Sequence, residues 1–287
     1  MTDLTNPIDV IQLKSKLMRS VDAHKGNNGK ILCIGGGSGM SGAIILSGIS
    51  ALHCGAGLVH IGMLDLDSAH VSVDHPELMI HPLKQNLKEL LNQISPDLII
   101  IGPGLDQTTY SALYLKEVLQ TNIPLVVDAG ALQILSTQPY LIEILKKRNS
   151  SVVITPHPGE AALLLMMEVK ELQGDRVGAC KNLIKQTDAI VVLKGYQTLV
   201  GDSSHIIHQC IQGNAGMASG GMGDILTGAI GAFIAQGIYY NLSPWSATML
   251  AVQIHSMAAD NLVKSKKGPI GLTASEVIQE MRLIINN

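Results

Sequence analysis

The stretch Gly213-Asn214-Ala215-Gly216-Met217-Ala218-Ser219-Gly220-Gly221-Met222-Gly223-Asp224 leads into a long apolar run, and it is where reactive groups and loop glycines coincide most densely. Glycines at 220, 221 and 223 free successive N–H groups to converge where a helix starts, and the helix dipole adds positive potential there. Gly221, Met222 and Gly223 would then form an anion hole. Asp224 falls in the first helical turn beside it, placed to take a proton from a hydroxyl attacking a bound phosphoryl group. Capping the helix is the plainer role for this aspartate, but a cap does not require glycines before it.

Other segments offer polar groups at the ends of apolar runs. In Thr155-Pro156-His157-Pro158-Gly159-Glu160 two prolines fix the backbone around His157 and would present its imidazole to substrate in a set direction. Glu160 either joins that site or simply complements the dipole of the next helix. In Lys194-Gly195-Tyr196-Gln197-Thr198 the lysine meets phosphate as a compact charge, with Thr198 hydrogen-bonding it, or else is an exposed turn residue. The runs from Gly35 to Ala43 and Gly102-Pro103-Gly104-Leu105 are glycine-built strand ends, suited equally to ligand approach and to tight packing.

These groups need a scaffold, and the sequence supplies one. Short β-rich runs at 30–34, 58–62, 97–101, 124–128, 152–155 and 190–193 mostly lack polar alternation, as expected of strands covered on both faces. Helix-length segments at 43–54, 109–119, 140–147, 160–167 and 176–186 separate them. Strand followed by helix, repeated, implies an α/β fold with a mainly parallel sheet and right-handed crossovers. In such a sheet the ligand crevice lies beyond the carboxyl ends of the strands, where the segments above sit. After Leu193 a hairpin is expected from 198–200 and 205–210, then two long helices starting near Gly223 and Pro244. No repeat or linker divides the chain, so residues 1–287 are taken as one domain, with 1–25 as an N-terminal arm or helix.

Composition narrows the classes. Apolar residues make up 46% and charged ones 15% of 287 residues, so a large aliphatic core is expected and disorder is excluded. A net charge of −3 disfavours a nucleic-acid surface. The dense basic spots, Lys146-Lys147-Arg148 and residues 264–267, read as solvated helix ends. Cys33, Cys54, Cys180 and Cys210 lack CxxC spacing and read as buried free thiols of a reducing compartment. There is no signal-peptide pattern, and the longest apolar run, 225–238, is too short to span a bilayer. A cytoplasmic protein that binds neither membrane nor nucleic acid is expected.

Taken together, these segments resemble the nucleotide-dependent NAD(P)H-hydrate dehydratases of the ribokinase-like fold. The matching residues are Gly36-Gly37-Ser38 with Gly42-Ala43, Gly55-Ala56-Gly57-Leu58-Val59, Gly102-Pro103-Gly104-Leu105 and Val127-Asp128-Ala129. They continue with the His157 segment, Leu193-Lys194-Gly195 with Thr198, the Gly213-to-Asp224 run, and His255 with Asp260, covering roughly 25–280 in the family's order. The resemblance implies a three-layer α/β/α sandwich that dehydrates the S epimer of hydrated NADH or NADPH while ADP becomes AMP and phosphate. It implies that Ala43, Gly104, His157 and Asp224 contact the hydrated cofactor, that Lys194, Gly195, Tyr196, Gln197, Thr198 and Gly223 contact the nucleotide, and that Mg²⁺ accompanies the phosphates, with no metal ligands assigned.

Three positions depart from the family pattern: Met222 where threonine is frequent, Gly130 in place of an acidic residue, and Asp106 in place of glycine. Relatives often carry an N-terminal epimerase for which this chain has no room, so a separate epimerase is expected. The helix over 245–262 could face a core or a second copy, so a homo-oligomer, with a tetramer among the options, is also expected. A ribokinase-like alcohol kinase of the thiazole or pyrimidine type would share the Gly220-to-Asp224 loop but would not need the His157 and Gly104 segments. A non-catalytic nucleotide sensor would not need Asp224.

Overall fold

The computed structural model describes residues 4–5, 8–83 and 86–287. The chain enters through β1 (Leu4–Thr5) and α1 (Val10–Ser15), so the described part of the expected N-terminal arm is a short strand and a short helix, while residues 1–3 and 6–7 lie outside the described residues. The first half continues as β2 (Lys30–Gly35), α2 (Ser41–His53), β3 (Leu58–Met63), β4 (Met79–Pro82), α3 (Leu87–Ile94), β5 (Leu98–Ile101) and α4 (Thr109–Leu119). Next come β6 (Leu125–Val127), α5 (Ala129–Thr137), α6 (Pro139–Lys146), β7 (Val152–Ile154), α7 (Pro158–Leu165), α8 (Val169–Gly174), α9 (Arg176–Thr187) and β8 (Ile190–Leu193). The chain closes with β9 (Leu199–Gly201), β10 (Ile207–Gln209), α10 (Met222–Tyr240), α11 (Pro244–Lys264) and α12 (Ala274–Asn286).

The ten strands of the described residues join one sheet in the order β1-β10-β9-β8-β7-β6-β5-β2-β3-β4. Pairing is parallel except where β9 runs against β8 and β10, the expected hairpin. Successive residues of β2 take opposite sides. Ile31 and Cys33 join a core with α2, α10, α11 and α12, whereas Leu32 and Ile34 join a second core beneath α3 to α9. The result is the three-layer ribokinase-like sandwich. Strand order reverses between β5 and β2, so the loops after these two strands open a crevice at a topological switch point.

The last two long helices seal one face. α10 is buried from Ile225 to Gly237 and carries Phe233, the only phenylalanine, fully covered. α11 packs into the same core through Leu250, Val252, Ile254 and Ala258. Among the described residues no helix is long and apolar enough to cross a membrane. All four cysteines are free and buried, and burial raises their thiols.

Two sequence expectations need correcting. β4, α3, α5, α8 and α12 were not anticipated, because β4 carries a histidine and a proline, and α5 starts directly at a strand end with a glycine in its first turn. Arg148 is no solvated helix end. Its guanidinium donates to the carbonyls of Val118 (3.0 Å), Leu119 (2.6 Å) and Ile123, closing the C-terminus of α4. Residues 264 and 266–267 are exposed lysines, as expected.

Candidate active site

Asp128, at the end of β6, is the electrostatic centre of the crevice. It is 1% exposed and uses both oxygens: Oδ1 accepts from Lys194 Nζ at 2.8 Å and Oδ2 from Thr227 Oγ1 at 2.7 Å. Thr227 lies on α10 one turn beyond Asp224, so the pair ties the ends of β6 and β8 to the start of that helix. Lys194 is therefore not an exposed turn residue. Burial alone would lower its pKa, but Asp128, Glu160 and Asp224 outweigh burial and hold the ammonium charged. Its Nζ lies 3.1 Å from where a Cβ would stand on Gly223, which places the positive charge over the helix N-terminus.

Gly221 ends the glycine loop at φ +86° and precedes the first residue of α10, a conformation that favours glycine. It offers no side chain to cap the helix. Asp224, in the first turn, has no side-chain hydrogen-bond or ion-pair partner among the described residues, so capping is not its role. Burial, with the negative charge of Asp128 added and Lys194 partly offsetting it, pushes its carboxyl to about 6. Its own carbonyl accepts from Ser47 Oγ at 2.9 Å, and that of Ile225 accepts from Ser50 Oγ at 2.6 Å, so α2 fixes the helix start. Asp260 on α11 pins the other end of the loop by accepting from Gly213 N (3.0 Å) and Asn214 Nδ2 (2.9 Å).

The prolines do fix His157, but the imidazole is turned toward its own helix. Nδ1 accepts from the N–H groups of Gly159 (2.9 Å) and Glu160 (3.3 Å), while Nε2 sits 3.3 Å from Glu160 Oε1. Glu160 Oε2 accepts from His157 N at 2.8 Å, completing a capping box for α7. Both ring nitrogens are thereby engaged within the loop. Burial, then Lys194, lower the His157 pKa. Glu160 is both cap and cavity wall. It is 4% exposed, and burial, with Asp128 and Asp224 adding and Lys194 opposing, pushes its carboxyl to about 7.

These groups open into a cavity of about 800 Å³ that also takes in Gly195, Tyr196, Gln197, Thr198, Gly221, Met222 and Gly223. A larger hollow of about 1210 Å³, between α1 and the ends of α2 and α12, contains none of them. Ala43 and Gly104 lie outside the smaller cavity, at the switch point. There Gly37 N donates to Gly104 O at 2.7 Å, and Met40 O accepts from Ala43 N at 3.1 Å. The same sheet edge continues to Asp128 through Gly130 N, which donates to Gly102 O at 3.2 Å. Sequence reasoning did not single out Asp128, Thr227 or His255 as site residues. The available signal was an aspartate ending an apolar strand, but its partners come from distant elements.

The three departures have local explanations. A Cβ on Gly130 would stand 2.0 Å from Leu105 O, so this backbone admits no acidic side chain there. Asp106 Oδ1 accepts from Thr108 Oγ1, the cap of α4, at 2.8 Å and from Ser111 Oγ, which occupies it in the turn before that helix. The Met222 side chain is 5% exposed and belongs to the core, so a threonine hydroxyl there is replaced by packing.

Among the described residues no three His, Cys, Asp or Glu side chains gather into a metal cage.

The family profile described as NAD(P)H-hydrate dehydratase matches residues 31–282. The chain belongs to the NAD(P)H-hydrate dehydratase family. It is 40% identical over 270 residues to the bifunctional NAD(P)H-hydrate repair enzyme Nnr of Coxiella burnetii, covering 93% of this chain and 52% of that protein. It is 34% identical over 271 residues to the ADP-dependent (S)-NAD(P)H-hydrate dehydratase of Neisseria meningitidis, covering 93% of this chain and 88% of that one. The chain thus spans about half the length of the bifunctional relatives it matches. Among solved structures, the ADP/ATP-dependent NAD(P)H-hydrate dehydratase of Bacillus subtilis, co-crystallised with ATP/Mg²⁺, superposes with a TM-score of 0.79 at 28% identity, covering 96% of this dehydratase-family chain and 95% of that one.

Proposed function

We propose that this protein dehydrates the S epimer of hydrated NADH or NADPH, with ADP as phosphoryl donor converted to AMP and phosphate. The observation that carries the reading is Asp224: a half-buried carboxylate with no side-chain partner among the described residues, held near 6, in the first turn of a glycine-opened helix with Lys194 beside it. Asp224 takes the proton of the hydroxyl on the hydrated ring as its oxygen attacks the terminal phosphoryl group of ADP. The N–H groups of Gly221, Met222 and Gly223 and the Lys194 ammonium hold the phosphoryl oxygens and the charge that gathers on them. The phosphorylated C–O bond then breaks with the ring nitrogen lone pair assisting. Loss of a proton from the neighbouring carbon restores the dihydropyridine ring and leaves phosphate. Mg²⁺, when bound with the nucleotide, would neutralise phosphate charge.

On this reading the nucleotide lies against Lys194, Gly195, Tyr196, Gln197, Thr198 and Gly223. The hydrated cofactor extends from Asp224 past the His157 ring to Ala43 and Gly104 at the switch point. A separate epimerase is proposed to supply the S epimer, and a cytoplasmic setting and a homo-oligomer are proposed with it. The test is recovery of reduced-nicotinamide absorbance from chemically prepared NADH hydrate with Mg²⁺ and ADP, ATP or no nucleotide. Recovery with ADP supports the whole reading, and recovery with ATP alone keeps the reaction and changes the donor. No recovery from protein that binds nucleotide would leave an alcohol kinase of the same fold.

A further inference from the structure

Beyond the first turn of a helix, the threonines of this protein share one habit, and Thr227 departs from it. Thr137, Thr187 and Thr248 each send the hydroxyl back to the carbonyl one turn earlier, at 3.3, 2.8 and 2.8 Å. Thr227 makes no such bond. It donates across to the end of β6, where Asp128 Oδ2 accepts at 2.7 Å, and this is its one side-chain hydrogen bond among the described residues. Thr227 is fully buried and Asp128 is 1% exposed, so no ligand reaches the hydroxyl and any effect on the site passes through the carboxylate.

That carboxylate stands between two very different side chains. The terminal torsion of an aspartate is broad, whereas threonine is branched at Cβ and stiff about χ1. With Oδ2 held by Thr227, the carboxylate plane is set and Oδ1 meets Lys194 Nζ at 2.8 Å. The lysine's main chain is held as well: Lys194 N donates to Pro156 O at 2.9 Å, and Arg176 Nη2 donates to Leu193 O at 3.2 Å. Its ammonium makes no other hydrogen bond among the described residues, so two of three N–H donors remain for a ligand, beside Gly223 at the start of α10. A lysine released from Oδ1 would spread over its many rotamers and no longer hold that place.

We propose that Thr227 is a positioning residue: by fixing Asp128 it holds the Lys194 ammonium over the N-terminus of α10, and so sets both the affinity for a phosphate-bearing ligand and the alignment of its phosphoryl group. The proposal deepens the functional reading and rests on it for the nucleotide and the transfer step. A hydroxyl that served only packing or helix stability would, when lost, lower stability and leave the relative affinities of ligands with and without phosphate as they were.

Thr227→Val keeps the shape and removes the donor, Thr227→Ala removes it without adding a methyl group, and Thr227→Ser keeps the hydroxyl. Dissociation constants for ADP and adenosine are measured calorimetrically, thermal unfolding reports folding, and steady-state kinetics with hydrated NADH give kcat and the KM of each substrate. The Val variant should bind ADP about three- to tenfold more weakly, while adenosine, which has no phosphate, stays within about twofold. Its KM for ADP should rise and its kcat fall, with the KM for hydrated NADH within about twofold. The Ser variant should bring ADP affinity back to within about twofold of wild type. If the Val variant does not fold, the Ala variant carries the same expectations. The proposal is overturned if ADP and adenosine weaken by the same factor, if ADP affinity does not change, or if the Ser variant binds ADP as poorly as the Val variant does. A protein that shows this split between ADP and adenosine but never dehydrates NADH hydrate would refute the functional reading and leave the placement of the ammonium standing.

Discussion

At the scale of single residues, the site is a set of unequal carboxylates. Asp128 is spent on Lys194 and Thr227, Glu160 on the cap of α7, and Asp224 alone keeps its oxygens for a ligand. Asp224→Asn should lower turnover by roughly 10²–10⁴-fold, the range of a lost general base, while nucleotide affinity measured calorimetrically stays within about twofold. A parallel loss of affinity would refute that division of roles. Since the base works ionised and its carboxyl in the ligand-free protein sits at about 6, kcat/KM should rise with pH through a limb near 6 and then level off, which a pH-rate profile would reveal. Lys194→Met strips Asp128 of its buried counter-ion and should cost about 3 kcal/mol in denaturant unfolding as well as weakening nucleotide binding. Adding Asp128→Asn should return most of the stability and none of the affinity, which separates the two roles of the lysine.

Elements aim these residues by their ends. α10 starts where it does because Gly221 turns the chain and because Ser47 and Ser50 of α2 hold its first carbonyls. α7 starts on His157 because that side chain and Glu160 cap each other's backbone. Arg148 performs the same service for the far end of α4, where it bonds three carbonyls from outside the helix. Arg148→Ala leaves those partly buried carbonyls unpaired and should cost roughly 1.5–3 kcal/mol in equilibrium unfolding, with unchanged nucleotide affinity. A loss under about 0.5 kcal/mol would mean that water replaces the guanidinium at little cost.

For the whole molecule, burial of titratable groups makes stability depend on pH in two opposing ways. Glu160 at about 7 and Asp224 at about 6 sit above the ordinary carboxylate range, so the folded protein holds protons the unfolded chain releases. Their contribution is complete below about 4 and is lost as pH rises through 6 to 7. His60 and His255, both pushed down to about 4 chiefly by burial, act oppositely: their contribution is present above 6.5 and lost as pH falls toward 4. Both changes fall between about pH 4 and 7 and oppose each other, so the thermal midpoint of ligand-free protein should vary little across that range. Glu160→Gln removes one of the opposing carboxylates and should make the midpoint fall more steeply as pH drops from about 6.5 to 4. An acid slope unchanged by that substitution would remove Glu160 as a source.

The α/β order, the parallel sheet and the glycine-opened start of α10 were legible from the sequence because they rest on local patterns. Apolar runs of strand length announce covered strands, and a glycine cluster before an apolar helix announces an N-terminus that binds anions. The same patterns predicted 109–119 and 190–193 to the residue. What only the tertiary structure decided was how the polar atoms are spent. Lys194 turned from turn residue to half-buried partner of Asp128, His157 used its nitrogens on its own helix, Arg148 left the solvent, and His255 kept a covered ring nitrogen unpaired among the described residues. A hydrogen bond between residues 66 positions apart, such as Lys194 to Asp128, leaves no mark in sequence spacing. It exists because parallel strands bring their carboxyl ends to one edge, and burial there obliges each polar group to find a partner or to wait for a ligand.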